Sequence, residues 1–138
     1  MTMNDAHATA GTLWSIGVVR SDITSRRAAP KQGAEGAPDV WIEVNPLVAA
    51  GLMGIKAGDE LIVITWLHQG KRDVLQVHPR SNPDNPLTGV FNTRSPDRPN
   101  PLGLHPVVVR EISGNRVRVG PLEAIDGTPV VDIKPVLC

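Results

Sequence analysis

A chain of 138 residues supplies one compact domain and one hydrophobic core, not two. Fourteen Lys plus Arg balance fourteen Asp plus Glu, which excludes a general field for nucleic acid or anionic lipid and leaves binding to local charge. Apolar residues at 41% and charged residues at 20% exclude both disorder throughout and a fibrous repeat.

Residues 1–12 are small and polar and read as a disordered tail, leaving 13–138 as the folded domain. Met1 to Gly11 has no apolar run for a signal peptide, and no apolar stretch reaches the roughly 20 residues of a membrane helix. The expectation is therefore a cytoplasmic protein with no membrane contact. Leu13 to Val19 is a strand candidate, followed by a long polar connection from Ser21 to Pro38 that carries Arg26, Arg27 and Lys31. A connection that long in a compact domain is functional or disordered. Val40 to Val44 is the next strand. Pro46 to Met53 is one short helix, with Asn45 as cap, Pro46 at its first position and Gly54 ending it.

Glu60 to His68 is rich in β-branched residues, and Asp73 to His78 is expected to fold back on it as a hairpin across Gln69-Gly70-Lys71. Gly89 to Thr93, Leu104 to Ile112, Arg116 to Val119 and Pro129 to Ile133 are further strands, with Ser113-Gly114-Asn115 as a tight turn. Thirteen glycines and thirteen prolines exceed the usual combined share of roughly one residue in eight and mark many turns. About eight short strands with almost no helix predict an all-β fold, a small antiparallel β-barrel with one short helix. No glycine-rich phosphate loop is present, so nucleotide binding by such a loop is not supported, and the short, evenly spaced strands argue against alternating parallel units of the Rossmann kind.

The densest chemical signal is GVFNTRSPDRPNPLG, Gly89 to Gly103. Pro96, Pro99 and Pro101 fix much of that backbone, so Arg94 and Arg98 would stand as preset forks for carboxylate or phosphate oxygens, or else as ordinary surface charges. A second signal is PLEAIDGTPVVDIKP, Pro121 to Pro135, where alternation puts Asp132 and Lys134 on one strand face and Val131 and Ile133 on the other. That pair is either a structural ion pair or the wall of a site in which Asp126 or Asp132 accepts hydrogen bonds from ribose hydroxyls or an amine. His68, His78 and His105 lack zinc spacing, and the only cysteine is Cys138, so no metal and no internal disulfide are expected. Trp14, Trp41 and Trp66 are assigned to the core, while Phe91 beside Arg94 could face a nucleotide. Between Lys71 and Arg110, six Lys or Arg stand against three Asp, a modest basic patch for phosphates.

These two motifs, with IGVVRS at Ile16 to Ser21 and APKQG at Ala29 to Gly33, resemble the TsaA-like (YaeB/TrmO) family from Ile16 to Pro135. The resemblance implies a small β-barrel that binds S-adenosyl-L-methionine as a homodimer, and methyl transfer to the exocyclic nitrogen of threonylcarbamoyl-adenosine beside the anticodon of tRNA. By position it implies cofactor contacts from Gln32, Gly33, His68, Gln69, Arg94, Leu104, Leu122, Glu123 and Ala124. The early loop then becomes a lid over the cofactor. Lys31 replaces the usual Arg, Glu123 the usual Asp, and Val136 the usual Tyr. Methyl transfer from a sulfonium relies on positioning and desolvation, with Asp126 or Asp132, the latter tuned by Lys134, as catalytic candidates for taking a proton. Bacterial tRNA enzymes of the family continue into a second domain that helps to hold tRNA. The alternative expectation is therefore a non-catalytic module that binds S-adenosyl-L-methionine or a protein partner.

Overall fold

The computed structural model describes residues 9–22 and 37–137. Eight strands are present among them: β1 (Gly17–Arg20), β2 (Val40–Val44), β3 (Glu60–Trp66), β4 (Gln76–Val77), β5 (Thr88–Gly89), β6 (Leu102–Ser113), β7 (Arg116–Gly120) and β8 (Pro129–Pro135). Six of them close an antiparallel barrel in the order β1-β2-β7-β6-β3-β8, while β4 and β5 form a separate two-stranded ribbon. Residues 9–12, the described part of the expected tail, are exposed and outside regular structure.

Period-two alternation builds the barrel. Val19, Val40, Ile42, Leu61, Val63, Val107, Val109, Val117, Val119 and Val130 point inward and are buried. Each such side chain contributes about 1.5–3 kcal/mol when removed from water. A six-stranded barrel has little interior width, and this one is filled mainly by aliphatic residues, with Thr65 and His105 at inward positions of β3 and β6. The tryptophans, expected in the core, are not buried: Trp14 is exposed, and Trp41 and Trp66 occupy outward strand positions. Ile42 and Thr65 hold the neighbouring inward positions, so alternation turns both indoles out. There Arg116 stacks 4.5 Å from the Trp41 ring and Arg72 lies 5.1 Å from the Trp66 ring.

The hairpin expected between Glu60–His68 and Asp73–His78 does not form. Both edges of β3 are taken, by β6 along Glu60–Trp66 and by β8 along Leu61–Thr65, so a returning strand has no edge to join. β4 pairs with β5 instead. The first strand begins at Gly17 rather than Leu13, and Gly89–Thr93 is a two-residue strand, Thr88–Gly89, running into a 3-10 turn at Val90–Asn92. The helix at Pro46–Leu52 is present as a 3-10 helix, with the Asn45 side chain accepting from the Leu47 amide at 2.9 Å and Pro46 at its first position. Among the described residues two more short 3-10 turns, Pro79–Ser81 and Val90–Asn92, accompany it.

A bulge in β8 modifies the expected alternation. The register shifts so that Asp132 lies opposite Ile64 and Val130 opposite Thr65, skipping Val131. Val130 and Ile133 therefore both serve the core, and Asp132 and Lys134 share the outer face, paired at 3.2 Å. Among the described residues no helix is long and apolar enough to cross a membrane.

Candidate functional site

Antiparallel closure sorts the connections by barrel end. The segments between β1 and β2, between β3 and β6, and between β7 and β8 all leave from one end, here called the loop end. They carry His68, Gln69, Arg94, Leu122, Glu123, Ala124 and Asp126 to one rim. Gln32 and Gly33, and with them the expected lid, lie outside the described residues.

Between β3 and β6 the chain is tied to itself. The Gly70 amide donates to the Leu67 carbonyl at 2.7 Å, and the Leu67 amide donates to the Pro101 carbonyl at 2.7 Å. The Arg98 amide reaches the Lys71 carbonyl at 2.9 Å, and the Lys71 amide reaches Asp97 Oδ1 at 2.9 Å. Gly70 is required by close approach: a Cβ there would run into the Pro96 carbonyl and come within 2.9 Å of Pro101 Cβ. Arg72 clasps the far side, donating from Nε to the Pro99 carbonyl at 2.6 Å and from an η nitrogen to Asn100 Oδ1 at 3.0 Å.

The two arginines of the proline loop part company. Arg98 turns back into the loop and donates to the carbonyls of Thr93, Ser95 and Val90 at 2.9, 3.1 and 2.8 Å. It is a strut: three of its five N–H donors serve loop carbonyls, so the expected fork is turned inward. Arg94 is exposed and makes no hydrogen bond or ion pair among the described residues. Phe91 beside it is 81% exposed. His68 is exposed at the preceding turn together with Gln69.

The β7–β8 connection is anchored on three sides. The Leu122 amide donates to the Pro38 carbonyl at 3.1 Å, and Asp126 accepts from the Ser21 amide at 3.0 Å with the Arg20 guanidinium 4.0 Å away. Ser21 and Pro38 flank the segment that contains Gln32 and Gly33, so both its ends are tied to this connection. The side chains of Leu122 and Ala124 are buried in the core, which leaves backbone groups as what they can offer a ligand. Between them Glu123 turns to the rim, with Oε1 held by His105 Nδ1 at 2.8 Å.

Leu104 sits on the outer wall of β6, 46% exposed, across from Ile64 of β3, which in turn faces Asp132 of β8. Asp132 and Lys134 thus lie on the wall and not at the rim with Asp126. Thr65 escaped the sequence reading, and His105 was weighed there only as a metal ligand. Thr65 and His105 occupy inward positions in adjacent strands, fully buried, joined by a 2.7 Å hydrogen bond. Polar residues at inward positions of two neighbouring strands are the signal that would have found them. Among the described residues no group of three or more His, Cys, Asp or Glu is placed to hold a metal ion. A concavity of about 720 Å³ lies at the opposite end between Gly54, Asp59, Leu61, Ile133 and Val136. It is apart from the converging connections.

Comparison with known proteins follows the same geometry. The tRNA-methyltransferase O N-terminal domain matches residues 18–138. A probable S-adenosyl-L-methionine-binding protein, VirR of Rhizobium radiobacter, is 38% identical over 124 residues, 90% of this chain and 70% of that protein. Another probable S-adenosyl-L-methionine-binding protein, from Pyrococcus horikoshii, is 48% identical over 100 residues, 70% of this chain and 71% of that protein. The crystal structure of TrmO from Pseudomonas aeruginosa superposes with a TM-score of 0.72 at 28% identity, over 94% of this chain and 57% of that one. The chain therefore spans little more than half the length of that TrmO structure. With the motif-bearing connections gathered at one end of a matching barrel, the chain belongs to the tRNA-methyltransferase O N-terminal domain family.

Proposed function

We propose that the loop end binds S-adenosyl-L-methionine and directs its methyl group to the exocyclic nitrogen of threonylcarbamoyl-adenosine in tRNA. The observation that carries this reading is that two connections share one barrel end, one bearing an exposed Arg94 without a partner among the described residues, on a loop braced by Arg98 and Arg72, the other bearing the half-tied Glu123 carboxylate. These residues fit such a ligand: a guanidinium suits its carboxylate or a tRNA phosphate, and a carboxylate suits its ammonium, hydroxyl or amino donors. The relatives named above as probable S-adenosyl-L-methionine-binding proteins support the assignment.

S-adenosyl-L-methionine supplies a methyl group on an activated sulfonium, so what the protein adds is orientation and exclusion of water. Arg94 orients the carboxylate or phosphate. His68, Gln69 and the backbone of Leu122 and Ala124 line the rim, and Gln32 and Gly33 belong to the connection tied there. Asp126, at the rim, takes the proton released by the acceptor nitrogen. Asp132 and Lys134, paired on the wall near Leu104, act on the border of a subunit contact rather than on the proton.

That contact is with a second copy. The outer face of β3 and β6 presents Ile62, Ile64, Trp66, Leu102, Leu104 and Pro106 in register, whereas the outward positions of β1, β2 and β7 carry Arg20, Glu43, Arg116 and Arg118. An apolar wall on one side only suits an isologous dimer. Light scattering should give twice the chain mass, and a monomer at micromolar concentration overturns this part.

The deciding experiment is a methyl-transfer assay with purified protein, labelled S-adenosyl-L-methionine and tRNA carrying threonylcarbamoyl-adenosine. Label in the modified nucleoside is the expected result. Binding of S-adenosylhomocysteine without turnover replaces the enzyme with a cofactor-binding module.

A further inference from the structure

We propose that Thr65 and His105 are positioning residues, which together hold the Glu123 carboxylate at the rim so that its second oxygen accepts a donor group of the bound cofactor. The inference rests on the loop end being the S-adenosyl-L-methionine site.

Three side chains form a line from the core to the surface. Thr65 Oγ1 lies 2.7 Å from His105 Nε2, and His105 Nδ1 lies 2.8 Å from Glu123 Oε1. Exposure rises along it, from 0% at Thr65 and 2% at His105 to 20% for the Glu123 side chain. An ionised Glu123 can only accept, so Nδ1 is the donor and Nε2 of the neutral ring accepts a hydrogen bond from the Thr65 hydroxyl. This sequence of hydroxyl, imidazole and carboxylate is that of a hydrolytic relay. Here it cannot work in that direction, because the hydroxyl is fully buried and reaches no substrate.

The group at the exposed end is the carboxylate. A hydroxyl fixing a ring, and a ring fixing a carboxylate, is how buried partners orient a contact group. Only Oε1 is held, and no partner meets Oε2 among the described residues. Gly103 makes room for the chain of bonds: a Cβ there would sit 2.6 Å from Thr65 Oγ1 and 2.7 Å from His105 Nε2. The glycine that ends the proline motif is thus the one that permits a bonded Thr65–His105 pair behind it.

The test separates the two nitrogens of the ring. His105→Asn keeps a donor at the position of Nδ1 and loses the reach to Thr65, whereas His105→Gln keeps the reach to Thr65 and loses the donor to Glu123. Both are titrated with S-adenosylhomocysteine by calorimetry and melted without ligand. The expected result is similar destabilisation in the two variants, with affinity within about threefold of wild type for Asn and at least tenfold weaker for Gln. Equal affinities that merely follow stability overturn the proposal. Should either variant fail to fold, Glu123→Gln decides: at a partly exposed residue it is expected to melt like wild type and bind at least tenfold more weakly, and wild-type affinity overturns the proposal. If the unsubstituted protein binds no S-adenosylhomocysteine, the cofactor reading itself falls and this inference with it.

Discussion

The two ends of the barrel are made from the same six strands and differ in how those strands are connected. At the far end β6 turns into β7 in two residues, and the longer β2–β3 connection is built on the 3-10 helix and closed by backbone turns. Lys56 to Asp59 closes through the Lys56 amide on Asp59 Oδ2 at 3.0 Å, and Gly114, at φ 61°, turns β6 into β7. Asn115 there pins the tip to the Val44 carbonyl at 2.6 Å. At the loop end side chains take over where backbone ladders stop: Arg98, Arg72 and Asp97 satisfy the proline loop, and His105 reaches Glu123. The far end has a concavity of about 720 Å³, the loop end the uncommitted charges. Volume and chemistry are separate properties, and what a site needs is polar groups left over after the fold has been satisfied.

The comparison is tested most severely at Gly70. Gly70→Ala should push the Pro96 carbonyl and Pro101 away from the turn that follows β3, costing about 1–3 kcal/mol as in other overpacked sites. Cofactor affinity should fall with it, since the loop that carries Arg94 moves. Denaturant unfolding and calorimetry on one preparation measure both, and an unaffected protein would mean that the proline loop is not braced from this side.

Arg98→Ala comes next. Three loop carbonyls lose charge-assisted donors, and a loss of about 1.5 kcal/mol is expected, read as an earlier denaturant midpoint. Arg94→Ala sharpens the contrast inside the same loop: stability should change by less than about 0.5 kcal/mol, while S-adenosylhomocysteine binding weakens about ten- to hundredfold, the loss of one charge-assisted contact. A mutant that binds like wild type removes Arg94 from the site.

The smallest effect belongs to the far end. The Lys56 amide donating to Asp59, helped by the Lys56 ammonium at 3.3 Å, holds the Asp59 carboxyl below the usual carboxylate range. A lowered native value means that the stabilisation is complete above the ordinary carboxylate pKa of about 3.9 and is lost as pH falls through the native one. Asp59→Asn should therefore be slightly less stable than wild type at neutral pH. The two melting curves should converge in acid with no change in ligand affinity at neutral pH.

Sequence by itself determined what nearest neighbours decide. Val40–Val44 is the strand that alternation predicts, the cap at Asn45 and the turn at Gly114 follow from local backbone chemistry, and Asp132 pairs with Lys134 because two residues along a strand share a face. Tertiary structure decided everything that depends on which edge or cavity is already taken. β4 lost its expected partner because β6 and β8 occupy both edges of β3. The tryptophans went outside because the inward positions beside them belong to Ile42 and Thr65. Arg94 and Arg98 are alike in composition and nearly adjacent, yet only the path of the folded loop brings three carbonyls to one guanidinium and none to the other. The Thr65–His105–Glu123 line joins three connected regions of chain across the barrel rim, and contacts between residues so far apart in sequence leave no local pattern to read.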